Sequence, residues 1–363
     1  MNSFLGTFFT KNNPVIISGP CSAETEDQTI ETARQLAKLN KVHVFRAGLW
    51  KPRTKPGSFE GVGSVGLSWL KNVKQETGLK TTVEVANPSH IELALKNEVD
   101  ILWIGARTTA NPFAIQEIAN ALKNVDIAVL VKNPINPDID LWEGGIERIA
   151  MAGIKNIGAI HRGFSTFGNS NFRNPPQWQI PIELKQRHPD IPLFCDPSHI
   201  CGKTEILFSV AQKAIDLNYD GLMIETHINP QKAWSDAKQQ ITPRELEKLL
   251  ESLIIREYNP ELHSREIELI KLREKINMLD SDLVDILSKR MSTIVEIGLY
   301  KKENNIKILQ AERWEEVIKK IMAEGIGKGL SREFILNILS SIHIESINKQ
   351  SMVMNKDELN KLL

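Results

Sequence analysis

At 363 residues, with 45 basic and 45 acidic side chains, the chain is too long for one typical domain and too evenly charged to have a polyanion such as nucleic acid as its main partner. Three cysteines form no disulfide framework and suit a reducing compartment. No apolar run reaches the length of a bilayer span, and the opening MNSFLGTFFTKNNP has no basic head before a long apolar core, so the chain reads as a cytoplasmic protein that makes no membrane contact.

Short apolar runs at 15–18, 42–45, 81–85, 101–105, 127–131, 157–160, 193–195 and 221–224 read as strands. Between them, amphipathic stretches at 27–39, 64–77, 89–96, 112–122, 139–152 and 203–216 read as helices. Eight such units in roughly 240 residues predict a (β/α)8 TIM barrel, an α/β fold, rather than an open doubly wound sheet. No G-x-G-x-x-G follows the first strand, so the dinucleotide fingerprint is missing. Tyr258-Asn259-Pro260 then interrupts the pattern, dividing the chain into a barrel at 1–257 and an all-α segment at 258–363.

In a barrel, chemistry sits where strands pass into the loops that follow them. Here those junctions read Gly19-Pro20-Cys21-Ser22, Arg46 with Lys51-Pro52-Arg53-Thr54, Glu84, Gly105-Ala106-Arg107, Lys132, His161-Arg162-Gly163, Asp196-Pro197-Ser198-His199 and Glu225-Thr226-His227. Two prolines and a glycine keep 51–57 out of regular structure, so Arg46, Lys51, Arg53 and Lys55 share a stiff loop. Alone, that loop reads equally as solvated basic surface. The joint pattern of charged and metal-binding residues at one end of nearly every strand points to a site.

These residues sort into two chemical sets. Cys21, His199, Glu225 and Asp236 offer one thiolate, one imidazole and two carboxylates, which suits a borderline divalent ion, Mn²⁺ first, with Fe²⁺, Co²⁺ and Zn²⁺ as alternatives. Cys21 by itself reads as a small buried apolar residue, and Cys195 and Cys201 keep that reading. Arg46, Lys51, Arg53, Arg107, Lys132 and Arg162 match two phosphates and a carboxylate.

The GPCS, RAGxxKPRT, GAR, HRG, DPSH and ETHxxP…SDAxQQ elements, in this order over about 10–257, resemble 3-deoxy-D-arabino-heptulosonate 7-phosphate (DAHP) synthase of the smaller bacterial type. The resemblance implies that Cys21, His199, Glu225 and Asp236 hold the metal. It also implies that Arg107, Lys132 and Arg162 bind the phosphate of phosphoenolpyruvate. Arg46 and Lys51 then lie at its reacting end, with Lys51 handling a proton, and Arg53 and Thr54 bind erythrose 4-phosphate. The related eight-carbon sugar acid synthase, which takes arabinose 5-phosphate, has Lys-Ala-Asn-Arg where this chain has Lys51-Pro52-Arg53-Thr54. A metal-dependent barrel aldolase or hydrolase is the competing class.

From about Leu262 to Lys302 apolar residues recur at three- and four-residue spacing, predicting a helix of about 40 residues, roughly 60 Å long. A small domain cannot cover such a helix alone, so a homodimer through this segment is expected. Shorter helices are predicted at 311–323 and 331–349, separated by Gly325-Ile326-Gly327-Lys328-Gly329, with Ser331 as an N-cap. Arg273, Arg290, Lys301, Arg313, Ser346 and Gln350 each read singly as ordinary surface polarity. Together LREKINMLD, KRM, EIGLYKKENN and IHIESINKQ resemble the all-helical chorismate mutase over about 262–352. That resemblance implies that Arg273 reaches into a partner's site and that the other five line the pocket for chorismate and prephenate. Where that family has Glu after the arginine matched by Arg313, this chain has Trp314, which leaves Glu312 or Glu315 as substitutes. A non-catalytic alternative makes the helical segment a dimerisation and sensor module. With about a dozen residues ahead of the first strand, feedback on the barrel is expected to act through this segment.

Overall fold

The computed structural model describes residues 13–51, 57, 59–166, 170–256 and 263–355. The chain divides into two compact units, Met1–Glu257 and Tyr258–Leu363.

In the first unit eight parallel strands close in sequence order, β8 returning to β1. They are β1 (Val15–Gly19), β2 (Val44–Arg46), β3 (Lys80–Val85), β4 (Ile101–Ile104), β5 (Ala128–Lys132), β6 (Ile157–His161), β7 (Leu193–Cys195) and β8 (Gly221–Glu225). The period of two along each strand divides the apolar residues into two layers. Val15, Ile17, Val44, Ile101, Trp103, Leu130, Ile160, Phe194 and Met223 fill the barrel. Their neighbours Ile16, Phe45, Leu102, Ile104, Val129, Val131 and Leu222 pack outward against helices.

The same period aims the chemistry. Two residues beyond Val44, Leu130 and Met223 stand Arg46, Lys132 and Glu225, and these point into the barrel mouth from the last strand position. Glycines make room there. A Cβ on Gly105 would lie 2.0 Å from Glu84 Oε1, and one on Gly19 would lie 2.1 Å from the Arg46 carbonyl oxygen.

The covering helices are α1 (Glu26–Lys38), α2 (Val65–Thr77), α3 (Pro88–Lys96), α4 (Ala106–Thr109), α5 (Pro112–Ala121), α6 (Ile139–Met151), α7 (Gln179–Arg187), α8 (Pro197–Cys201), α9 (Leu207–Asp216) and α10 (Pro243–Ser252). Side chains satisfy the free N–H groups that begin many of them: Thr25, Asn87, Asn111, Asp138 and Asp196 each accept from the first turn. The helix expected at 203–216 begins only at Leu207, because Gly202 ends α8 in a left-handed conformation and the chain turns before continuing. Of the helices the periodicity passed over, α10 has a full capping box, Thr242 with Glu245 behind Pro243. The other three are α4 and α8, four and five residues long and too short for a periodic signal, and α7, nine residues with Pro181 in its first turn.

The second unit consists of α11 (His263–Glu303), α12 (Ala311–Gly327) and α13 (Arg332–Met354). Ser331 caps α13, accepting from Phe334 N–H. The expected break at Gly325 does not occur and α12 runs on to Gly327. The small residue instead lets α13 approach, since a Cβ on Gly325 would lie 2.6 Å from Ile335 Cδ1. Along α11, Leu272, Ile276, Leu279, Leu283, Val284 and Ile286 are each more than half exposed in the single chain. No helix among the described residues is long and apolar enough to cross a membrane.

Candidate active sites

Cys21, two residues past the end of β1, is buried and lies between two charges. Its Sγ is 3.3 Å from Asp236 Oδ2 and 3.2 Å from Lys51 Nζ. Sγ and one oxygen each of Glu225 and Asp236 all fall within 4.8 Å of one another. His199, the fourth residue of the predicted set, stands beside this group, its Nε2 3.7 Å from Glu225 Oε1. Its other nitrogen, Nδ1, is 2.8 Å from Asp196 Oδ2, and Lys132 Nζ holds the same oxygen at 2.8 Å.

Burial disfavours charge at every one of these groups, and the neighbours decide which keep it. Burial and then the charge of Glu225 push the Cys21 thiol up to about 12. Burial would also raise the carboxyls of Asp196 and Glu225, but His199 with Lys132 at the first and His199 with Arg46 at the second bring both below the usual range. Asp236 is likewise held down against burial, by Arg173 Nη1 at 2.9 Å from its Oδ1. Burial lowers His199 in spite of its carboxylate neighbours. His199 Nδ1 is buried without a hydrogen bond although Asp196 Oδ2 lies 2.8 Å away, so the ring is held between two carboxylates by proximity.

Glu225 Oε1 accepts no hydrogen bond, although Arg46 Nη2 is 3.2 Å away. His199 Nε2 and Glu225 Oε1, 3.7 Å apart beside a thiol and a second carboxylate, complete a compact donor set. The donors fit a borderline divalent ion.

The cationic set lies against the same mouth. Arg46 is fully buried, its guanidinium 5.0 Å from the Trp103 ring centroid, and its Nε and Nη1 have no hydrogen-bond partner. Buried donors without acceptors match an anionic ligand. Burial pushes Arg162 down to about 10, with Arg173 and Arg107 adding like-charge repulsion, so the three arginines lie within electrostatic reach of one another. Arg162 Nη1 donates to Asn174 Oδ1 at 2.8 Å. Arg107 sits exposed on α4. Arg53, Thr54 and Lys55 lie outside the described residues.

Three residues outside the two chemical sets contribute. Asp196 joins Lys132 to His199. Arg173 reaches Asp236 from the loop after β6. Gln239 bridges that arginine at 2.7 Å to Glu225 Oε2 at 2.7 Å. Asp196 and Gln239 stood in quoted motifs, whereas Arg173 occupies a loop where neither spacing nor periodicity marks it.

In the helical unit, Arg290 Nη1 donates to Ser346 Oγ at 2.8 Å, and Gln350 Nε2 donates to the Ser346 carbonyl at 3.2 Å. Gln350 Oε1 is buried without a partner. Lys301 is buried, its Nζ donating to the Ile308 carbonyl at 2.7 Å, and it lines a cavity of about 520 Å³ with Tyr300, Ile306 and Gln310. Arg313 is turned outward, pairing with Glu316 at 2.9 Å, and Trp314 stacks on His343 with centroids 3.8 Å apart. Arg273 is exposed on α11, 17 residues before Arg290, about 25 Å along the helix, so one chain does not bring the two together.

Residues 7–259 match the family model described as the DAHP synthetase I family, and residues 272–351 match chorismate mutase type II. A phospho-2-dehydro-3-deoxyheptonate aldolase of Thermotoga maritima is 33% identical over 226 residues, 62% of this chain and 64% of that protein. The chain therefore spans just under two thirds of that relative. A 2-dehydro-3-deoxyphosphooctonate aldolase of Legionella pneumophila is 27% identical over 257 residues, 66% of this chain and 89% of the relative. The crystal structure of the Thermotoga maritima heptonate aldolase, a DAHP synthase, superposes with a TM-score of 0.60 at 29% identity, covering 66% of this chain and 68% of that one. On these grounds the chain belongs to the DAHP synthetase I family, with a chorismate mutase type II segment fused behind the barrel.

Proposed function

We propose that the barrel condenses phosphoenolpyruvate with erythrose 4-phosphate to DAHP and phosphate, and that the helical unit rearranges chorismate to prephenate. The observation that carries the first activity is the juxtaposition at one barrel mouth of the Cys21–Glu225–Asp236 group with Lys51 and the unpartnered donors of Arg46.

In this reading Cys21, His199, Glu225 and Asp236 hold a divalent ion, Mn²⁺ before Fe²⁺, Co²⁺ or Zn²⁺. When bound, it supplies polarisation of the aldehyde oxygen. Arg107, Lys132 and Arg162 hold the phosphate of phosphoenolpyruvate, and Arg46 meets its reacting end with Nε and Nη1. The C3 of phosphoenolpyruvate forms a bond to the aldehyde carbon, water adds at C2, and phosphate leaves. Lys51 exchanges a proton with the new alcohol. Arg53 and Thr54 bind the phosphate of the aldose. The rearrangement in the helical unit needs no nucleophile. Arg290, Arg313 and Ser346, with Arg273 of a second copy, fix the compact conformer, and Lys301 and Gln350 stabilise charge on the ether oxygen. The exposed apolar residues of α11 support a homodimer.

The test is a paired assay of both activities on the purified full chain, with and without chelator. Phosphate release should require both substrates and vanish on chelation or in Cys21→Ala, while chorismate consumption continues. Condensation at full rate by a thoroughly demetallated chain would sink the metal assignment. The octulosonate relatives favour a second reading. Faster turnover with arabinose 5-phosphate than with erythrose 4-phosphate would establish it.

A further inference from the structure

Cys21 and Asp236 come from opposite ends of the barrel sequence, and contacts outside the predicted site join the loops that carry them. Glu24, three residues after Cys21, is buried. Its Oε1 accepts from the Trp234 backbone N–H at 2.6 Å, and its Oε2 lies 3.4 Å from His227 Nε2. Asn229 N–H donates to His227 Nδ1 at 2.8 Å. A neutral ring therefore carries its proton on Nε2 and presents it to Glu24. One carboxylate thus serves two donors on the segment that leads from β8 to Asp236. A glutamine there has an acceptor for one donor and turns its own N–H groups toward the other.

The segment needs such ties. Between β8 and α10 its regular structure is two 3-10 turns, Pro230–Lys232 and Ala237–Gln239, and a single β-bridge between Thr226 and Ile241. Asp236 itself stands at φ 48° and ψ 36°, a left-handed conformation that persists in a non-glycine residue when its surroundings impose it. Two further contacts reinforce the same seam: Ser22 Oγ to Ser235 Oγ at 2.6 Å, and Cys21 N–H to Gln240 Oε1 at 2.9 Å.

We infer that Glu24 and His227 are positioning residues of the cation site. They hold the Asp236 loop in its ligating conformation before the ion arrives, so part of the site's affinity is set by residues that never touch the ion. The inference rests on the reading of Cys21, His199, Glu225 and Asp236 as metal ligands. Neither Glu24 nor His227 is among those donors.

The test uses the full chain, stripped of metal and titrated with Mn²⁺ while the free ion is followed by its electron paramagnetic resonance signal. Glu24→Gln and His227→Leu should each weaken Mn²⁺ binding roughly ten- to a hundredfold. The double variant should be no weaker than the worse single one within about threefold, because both break the same seam. Ile149→Val, a buried change in α6, should lower thermal stability and leave Mn²⁺ affinity alone. Where Glu24→Gln does not fold, His227→Leu decides by the same criterion. An affinity within about twofold of wild type in a folded single variant, independent losses that multiply, or an equal loss in Ile149→Val would overturn the inference while the metal site stands. Cys21→Ala binding Mn²⁺ as tightly as wild type would remove the metal site, and this inference with it.

Discussion

The Lys132–Asp196 pair permits a quantitative test of how the site is held. Both side chains are almost wholly buried, and Nζ to Oδ2 is 2.8 Å. Asp196→Asn keeps the shape, but leaves the Lys132 ammonium in the barrel without its counter-ion and takes the carboxylate from His199 Nδ1. The cost typical of leaving half a buried pair sets the expected loss at about 3–5 kcal/mol. Lys132→Met strands the carboxylate in the same way and should cost a similar amount. The double variant buries neither charge, so its cost should fall short of the sum by about 2 kcal/mol or more. Urea unfolding followed by tryptophan fluorescence reads this transition, since six of the seven tryptophans precede residue 257. Additive costs, or an Asp196→Asn cost under about 1 kcal/mol, would refute the view that this pair is a mutually dependent buried unit.

Replacing Arg53 with Ala should raise the KM for erythrose 4-phosphate roughly ten- to a hundredfold and far exceed its effect on phosphoenolpyruvate. The opposite ranking would exchange the two anion sites. Arg273→Ala and Lys301→Ala chains should each be nearly inactive as mutases, and mixing them with subunit exchange should restore part of the activity. No recovery despite demonstrated exchange would mean sites built within single chains. His161 is pushed down to about 3 by burial, with Nε2 2.7 Å from the Pro176 carbonyl and Nδ1 2.9 Å from Tyr219 Oη. The unfolded ring takes a proton below about 6.5 and the folded one does not, so this group's contribution is complete above about 6.5. It is lost as pH falls toward about 3, by about 1.4 kcal/mol per unit. His161→Gln should flatten the acid limb of the stability curve by that slope, and an unchanged limb would contradict the burial argument. Prephenate should inhibit condensation in the full chain through a coupling of about 1–3 kcal/mol, and Lys301→Ala should relieve it. Equal sensitivity in both chains would place the inhibitor elsewhere.

Much of this protein can be read along the chain because the information is local. Alternation of two along a strand separates barrel-filling from helix-facing residues, and continuing the count from Val44, Leu130 and Met223 arrives at Arg46, Lys132 and Glu225. The three- and four-residue apolar spacing of the last hundred residues marks α11 for the same reason. Motif order then brings Cys21, Glu225 and Asp236 into one list before any coordinates exist.

What the list could not contain is pairing between residues remote in sequence. Arg173 meets Asp236 across 63 positions, and Glu24 meets Trp234 across 210. Neither arginine nor glutamate carries a periodic or turn signal in its own neighbourhood. Likewise only packing of α11 on α13 decides that Arg290 finds Ser346, 56 residues away, while Arg313 turns to its neighbour Glu316. Ionisation follows the same division. A thiol or an imidazole has its ordinary pKa in the sequence. Only a closed barrel that excludes water and sets Glu225 beside Cys21 drives the thiol up to about 12, and only its packing of His199 and Lys132 against Asp196 keeps that buried carboxylate ionised.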